Sequence, residues 1–115
     1  MAELIYKICP EALWRAAEES GRFDGAPIDL ADGFIHFSTG GQLRETAARH
    51  FAGQDRLLLV AVDPDALVGD LRWEPSRGGE LFPHLYSPLP MSAVRKIAPL
   101  PLDGRGGHIF PAGIP

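Results

Sequence analysis

A chain of 115 residues with 45% hydrophobic and 23% charged side chains has the composition of one ordinary globular domain, which excludes a disordered or fibrous polypeptide. Its 11 basic and 15 acidic side chains leave a net charge of −4, which argues against general binding to nucleic acids but allows a local pocket for one phosphorylated ligand. The single cysteine, Cys9, excludes an internal disulfide and a cysteine-based zinc site, and it fits a reducing compartment.

Residues 1–115 read as one domain with a core of about 4–98 and a loop-rich tail over 99–115. No apolar run reaches membrane-spanning length, and "MAELIYKICPE" lacks a signal peptide's basic start and cleavage site, so a cytoplasmic location is expected.

"ELIYKI" (3–8) has the content of a strand, which Cys9-Pro10 stops while starting a helix. Over 11–20 the residues Leu13, Ala16, Ala17 and Ser20 share a helical stripe, and Gly21 suits the C-terminal stop. Residues 22–32, rich in Gly, Pro and Asp, read as a loop. "GFIHFS" (33–38) alternates as a strand, with Ile35 and Phe37 toward the core and Phe34, His36 and Ser38 on the other face. Ser38 or Thr39 can cap a helix over about 41–51, where Leu43, Ala47, His50 and Phe51 share a face and His50 reads as partly buried. "RLLLVAV" (56–62) is a buried strand, expected beside 33–38 in one sheet. Asp63-Pro64-Asp65 starts a short helical turn and "DLRWE" (70–74) is another strand. "PSRGGE" is a loop, "LFPHLYSPLP" is extended and "AVRKIAP" (93–99) is a last strand. In the tail, Ile109 and Phe110 can anchor the chain and His108 is expected to be exposed. Short strands with two helices among them predict an α+β fold with mainly antiparallel, twisted sheets.

Two histidines interrupt apolar runs: His36 in "FIHFS" and His84 in "LFPHLY". Three strand-like segments each carry a polar pair at i and i+2, namely His36/Ser38, Arg72/Glu74 and His84/Tyr86. On adjacent strands these would make a polar cleft on an apolar wall, the chemistry of a ligand site. Each pair also has a plainer reading. A strand histidine is often only a hydrogen-bonded structural residue, Arg72 and Glu74 can be an exposed ion pair, and Tyr86 can simply pack.

The blocks "DGFIHFSTGGQLRETAARHF", "LLLVAVD", "LRWEPS" and "GELFPHLYSPLPMSAV" resemble, in order, the signature of the family called domain of unknown function 952. The likeness runs from about residue 4 to residue 98, and "GFIHFST-x-x-Q" with "FPHLY" is specific in combination. That family is biochemically uncharacterised. The resemblance implies a fold grouped with ADP-ribosyltransferase-like domains, distantly similar to RNA 2′-phosphotransferases. In that superfamily a strand histidine followed by a hydroxyl residue holds the nicotinamide-side ribose of NAD. A second aromatic or histidine packs on nicotinamide, and a last polar residue, often Glu, sets transfer activity. By that likeness His36, Glu74, His84 and Tyr86 would be catalytic. Ser38, Thr39, Gln42, Arg72 and Glu80 would hold the ligand, with NAD as the implied cofactor. Glu74 and Glu80 both precede "HLY", whereas the superfamily's Glu usually lies later. Ser87 stands where the family commonly has glycine.

Ordinary chemistry permits these roles. A carboxylate can stabilise an oxocarbenium-like state, Arg72 can bind a phosphate bidentately, and the helix start after Thr39-Gly40-Gly41 offers free N–H groups near Gln42. Three functions therefore stand open. The first is an ADP-ribosyltransferase-like enzyme acting on NAD or a related nucleotide. The second is a non-catalytic module binding a small nucleotide or phosphorylated ligand, which the missing late Glu favours. The third is a metal-dependent hydrolase using His36, His84 and Glu74 or Glu80. That last needs three ligands at about 2.0–2.2 Å, and no His-x-x-x-His spacing supports it, so no metal ligand is assigned. Folding is expected to need no metal, and His36→Gln is expected to keep the fold but lose ligand binding.

Overall fold

The computed structural model describes residues 3–67 and 69–114. Strand β1, Ile5–Pro10, runs to its proline and leads directly into helix α1, Glu11–Ser20. Gly21, at φ 89°, closes α1 in the left-handed conformation, with its N–H on the Ala17 carbonyl. The buried stripe of α1 is Trp14 and Ala17, whereas Leu13, Ala16 and Ser20 are exposed. This corrects the stripe expected from the sequence. The indole is the largest apolar surface on the helix, and the helix turns to pack it on Phe23, 5.5 Å between ring centroids.

Residues 22–32 are not a loop. They form the two-residue strand β2, Arg22–Phe23, and the helix α2, Pro27–Asp32. Pro27 takes the first helical position, where it forfeits no bond, and the Asp29 carboxylate reaches back to accept the Ala26 N–H at 2.7 Å.

The segment 33–38 is extended, yet it is not one strand. It divides into β3, Ile35–His36, and β4, Ser38–Thr39, which belong to different sheets. β4 pairs with β1, while β3 pairs with β7, Glu80–Leu85. Phe37 is the crossing point, and its N–H donates to the Pro83 carbonyl at 3.0 Å. The expected pairing with residues 57–62 therefore does not form. That strand, β5 (Leu57–Val62), lies between β1 and β9, Val94–Pro99. Ile35 and Phe37 are buried as the alternation requires.

Helix α3, Leu43–His50, buries Leu43 and Ala47 but leaves His50 exposed, contrary to expectation. Thr39 and Gln42 secure its start reciprocally. Gln42 N–H donates to Thr39 Oγ1 (3.2 Å), and Thr39 N–H donates to Gln42 Oε1 (3.0 Å).

The strands form a four-stranded sheet ordered β4-β1-β5-β9 and a three-stranded sheet β3-β7-β6, with β6 at Leu71–Ser76. A third pair joins β2 to β8, Leu89–Pro90, and every described pairing is antiparallel. The fold is α+β, with three helices where the sequence suggested two. All six residues of β5 are buried because the central sheet is covered on both faces. Leu58, Val60 and Val62 join Trp14, Phe23, Ile35 and Leu85 on one side, whereas Leu57 and Leu59 join Ile8, Leu43 and Leu100 on the other. In the tail Phe110 and Ile114 pack on the second cluster, and Ile109 points away, 54% exposed. His108 is half-buried rather than exposed, with Nε2 2.8 Å from the Gln54 carbonyl. Among the described residues no helix is long and apolar enough to cross a membrane.

Candidate functional site

The three-stranded sheet carries the Arg72/Glu74 pair and the first members, His36 and His84, of the other two. Its register sets His36 opposite His84 and Arg72 opposite His84, so one row of one face bears all three. Phe34, Glu74 and Tyr86 lie two residues along their chains and share that face. The rings form a continuous layer. Phe34 stacks on His84 at 4.1 Å, touches His36 at 4.6 Å and Tyr86 at 5.2 Å, and the two imidazoles are 5.6 Å apart.

Glu74 organises one end of this layer. Its Oε1 accepts the His84 Nδ1 proton (2.8 Å) and the Tyr86 hydroxyl (2.7 Å), while the Arg72 guanidinium sits over the Tyr86 ring at 5.0 Å. The Tyr86 and His84 hydrogen bonds hold the Glu74 carboxyl below the usual range, and the same bond to Glu74 pushes the Tyr86 hydroxyl up. A carboxylate only accepts, so Nδ1 of His84 carries a proton, and in the neutral form of the ring Nε2 presents a lone pair. Among the described residues that nitrogen has no hydrogen-bond partner, and His84 lines a cleft.

His36 is held from both sides. Its Nδ1 lies 2.6 Å from Asp29 Oδ1 and its Nε2 lies 2.9 Å from Asp32 Oδ2. Simultaneous donation to both carboxylates requires the doubly protonated ring. Asp29 is buried and accepts further bonds from the His36 N–H (3.0 Å) and from Lys7 Nζ (2.9 Å). Burial pushes the Asp29 carboxyl up, but the His36 hydrogen bond and the Lys7 ammonium outweigh it and hold the group at about 2.

The cleft encloses about 460 Å³, within the size of small-ligand sites, and lies where the two larger sheets meet. Tyr6, Phe37, Phe51 and Phe82 supply its aromatic walls. Lys7, Asp32, His36, His50 and His84 bring charge and titratable groups to it, and Ser38, Thr46 and Ser76 bring hydroxyls. Ser38 is buried and pairs with Thr46 Oγ1 at 2.8 Å. Two other hollows, about 270 and 190 Å³, are smaller.

Of the residues singled out in the sequence, the structure brings His36, Ser38 and His84 to the cleft. Arg72, Glu74 and Tyr86 stand behind His84 and are not part of the lining. Thr39, Gln42 and Glu80 form a separate fastening, in which Gln42 Nε2 donates to Glu80 Oε1 (2.9 Å) and to the Leu81 carbonyl (2.7 Å), tying the start of α3 to β7. Neither Glu74 nor Glu80 faces the cleft; its carboxylate is Asp32. Sequence reasoning passed over Lys7, Asp29, Asp32 and Thr46. The lone lysine inside apolar "LIYKIC" was the available signal, since a lysine buried in a strand needs a counter-charge. Among the described residues no group of three His, Cys, Asp or Glu side chains is arranged to hold a metal ion. Cys9 is fully buried and its thiol is pushed up to about 11 by that burial, so it is no nucleophile at neutral pH.

The family model described as "Protein of unknown function (DUF952)" matches residues 8–97. The crystal structure of Protein CC0527 from Caulobacter crescentus is similar at 55% identity and a TM-score of 0.89, over 92% of this chain and 93% of that one. The solution NMR structure of the same protein gives 56% identity and a TM-score of 0.81, over 90% of each chain. No curated protein matches the chain.

Proposed function

The chain belongs to the DUF952 family, and on that footing we propose that its cleft binds a small ribose-bearing nucleotide, with His84 taking a ligand hydroxyl. The observation that carries this reading is the Glu74–His84 pair. A carboxylate fixes the proton on Nδ1, and Nε2 lines an aromatic-walled cleft of about 460 Å³ with no other partner among the described residues. An acceptor so oriented suits a ribose hydroxyl, and the surrounding rings suit a base or nicotinamide. NAD is the first ligand to test, and the ADP-ribosyltransferase-like grouping of the fold belongs to the same proposal. The lone, buried cysteine supports a reducing, cytoplasmic setting.

Binding is favoured over transfer. Glu74 is engaged by His84 and Tyr86, and Glu80 by Gln42, so neither glutamate is free to face a ligand. One observation favours the second reading, ADP-ribosyl transfer from NAD. Asp32 does line the cleft, and a carboxylate there would stabilise an oxocarbenium-like state.

Thermal shift with NAD, ADP-ribose, adenosine and 2′-phosphorylated RNA ends tests the proposal. Ligand at a hundred times its Kd stabilises by about 2.7 kcal/mol, enough to raise Tm by several degrees. His84→Gln and His36→Gln are expected to abolish the shift, and Glu74→Gln to weaken it by releasing the His84 ring. Silence from all four ligands overturns the nucleotide reading. Release of nicotinamide from NAD decides for transfer.

A further inference from the structure

His36 is gripped by two carboxylates of opposite character. Asp29 is 1% exposed and is committed to several donors, so it cannot leave. Asp32 is 44% exposed, and its bond to His36 Nε2 is the one hydrogen bond described for its side chain. It is also the last residue of α2, where a carboxylate meets the negative end of the helix dipole and helix stability gives it no reason to stand. The other charged or titratable side chains named at the cleft, Lys7, His36, His50 and His84, are donors or can become donors. Lys7 keeps at least one ammonium proton beyond the two contacts with Asp29, and Ser76 brings a hydroxyl to the same space, whereas the Thr46 hydroxyl donates to the Gln42 carbonyl at 3.2 Å and Ser38 pairs with Thr46. Among the described residues Asp32 is the one carboxylate lining the cleft, and it covers the Nε2 donor of His36.

We infer that Asp32 is a displaceable latch on His36. In the unliganded protein its carboxylate occupies the position of a ligand phosphate oxygen, and binding exchanges it for that phosphate. The inference rests on the nucleotide reading above and adds a division of labour: His84 takes the ribose hydroxyl, and His36 takes the phosphate. The imidazole centroids are 5.6 Å apart and both rings line the cleft, so the two histidines are close enough to serve one ligand. No bond is made or broken in the exchange. The Nε2–H of His36 passes from one oxyanion to another, and Asp32 turns to solvent.

Asp32→Asn removes the competing charge and keeps the side chain's size. It is expected to tighten binding of inorganic phosphate and of ribose 5-phosphate by about tenfold, because a like charge no longer stands beside the incoming anion. Asp65→Asn, an exposed change outside the cleft lining, removes the same net charge and is expected to leave both affinities alone. Imidazole NMR is the second readout. In Asp32→Asn the His36 Nε2–H signal is expected to move on addition of phosphate, with the Nδ1–H signal held in place by Asp29. Unchanged or weakened binding in Asp32→Asn, or a His36 signal indifferent to phosphate, overturns the latch. Phosphate binding at His36 without any nucleotide shift sinks the nucleotide reading and leaves the latch standing. Nucleotide binding that ignores Asp32→Asn does the reverse.

Discussion

Asp29 holds one wall of the cleft by collecting Lys7 Nζ, the Ala26 N–H, the His36 N–H and His36 Nδ1 on a single buried carboxylate. Its folded pKa of about 2 lies below its ordinary 3.8. Between those values the unfolded chain binds more protons, so stability rises with pH across that window. The contribution is complete above the ordinary value and is lost as pH falls toward about 2, a change of about 2 kcal/mol. Urea unfolding at a series of pH values checks this, and Asp29→Asn should flatten that part of the curve. At neutral pH the same variant strands the Lys7 ammonium in a nearly solvent-free site, with an expected cost of about 3–5 kcal/mol. A cost below about 1 kcal/mol would show that the pair behaves as an exposed one. At this scale the sequence was partly legible. His36 and His84 stood out because a histidine in an apolar run needs a partner, and the structure supplies one to each. The Lys7–Asp29 bond spans 22 positions between segments with no shared motif, so no local pattern could announce it.

Among the elements, β5 was readable because a strand covered on both faces is apolar throughout. α1 was readable from Pro10 and Gly21 at its ends, although its stripe was misplaced by reading Leu13 ahead of Trp14. α2 was illegible for a physical reason. Six residues give less than two turns, Ile28 and Leu30 are exposed, and the helix is held by Asp29 rather than by an apolar stripe. The division of 33–38 was hidden by period two itself. Alternation survives when a chain passes from one sheet to another without losing its pleat, and only the partners change. Ile35 and Phe37 stay buried across that passage, at 2% and 3% exposure. Ile35→Ala is therefore expected to cost about 2–5 kcal/mol, the range for removing a large aliphatic side chain from a core. It also removes packing at the point where β3 meets Leu85. Denaturant unfolding measures it, and a loss under about 1 kcal/mol would mean that the site collapses without a cavity.

At the scale of the molecule, the cleft is a consequence of having two larger sheets rather than one. His36 belongs to one sheet and Ser38 to the other, and the cavity lies where they diverge. Carboxylates engage Nδ1 of both imidazoles and Nε2 of His36, so folding is expected to need no metal. A chelator is expected to leave Tm unchanged, and a marked fall would reopen the hydrolase reading. The two apolar clusters raise a further question, since they lie on opposite faces of the central sheet and could in principle melt apart. β5 argues against separate melting, because Leu57 and Leu59 serve one cluster while Leu58, Val60 and Val62 serve the other. Opening either side exposes a strand that the other side needs. A single cooperative transition is therefore expected. Trp14 reports the first cluster by fluorescence once the exposed Trp73 is changed to Phe, and the methyl signals of Leu43 and Leu100 report the second by NMR. The two urea midpoints should coincide. If the methyl signals are lost first, the second cluster and the tail residues Phe110 and Ile114 packed on it form a weaker unit that opens independently of the core around Trp14.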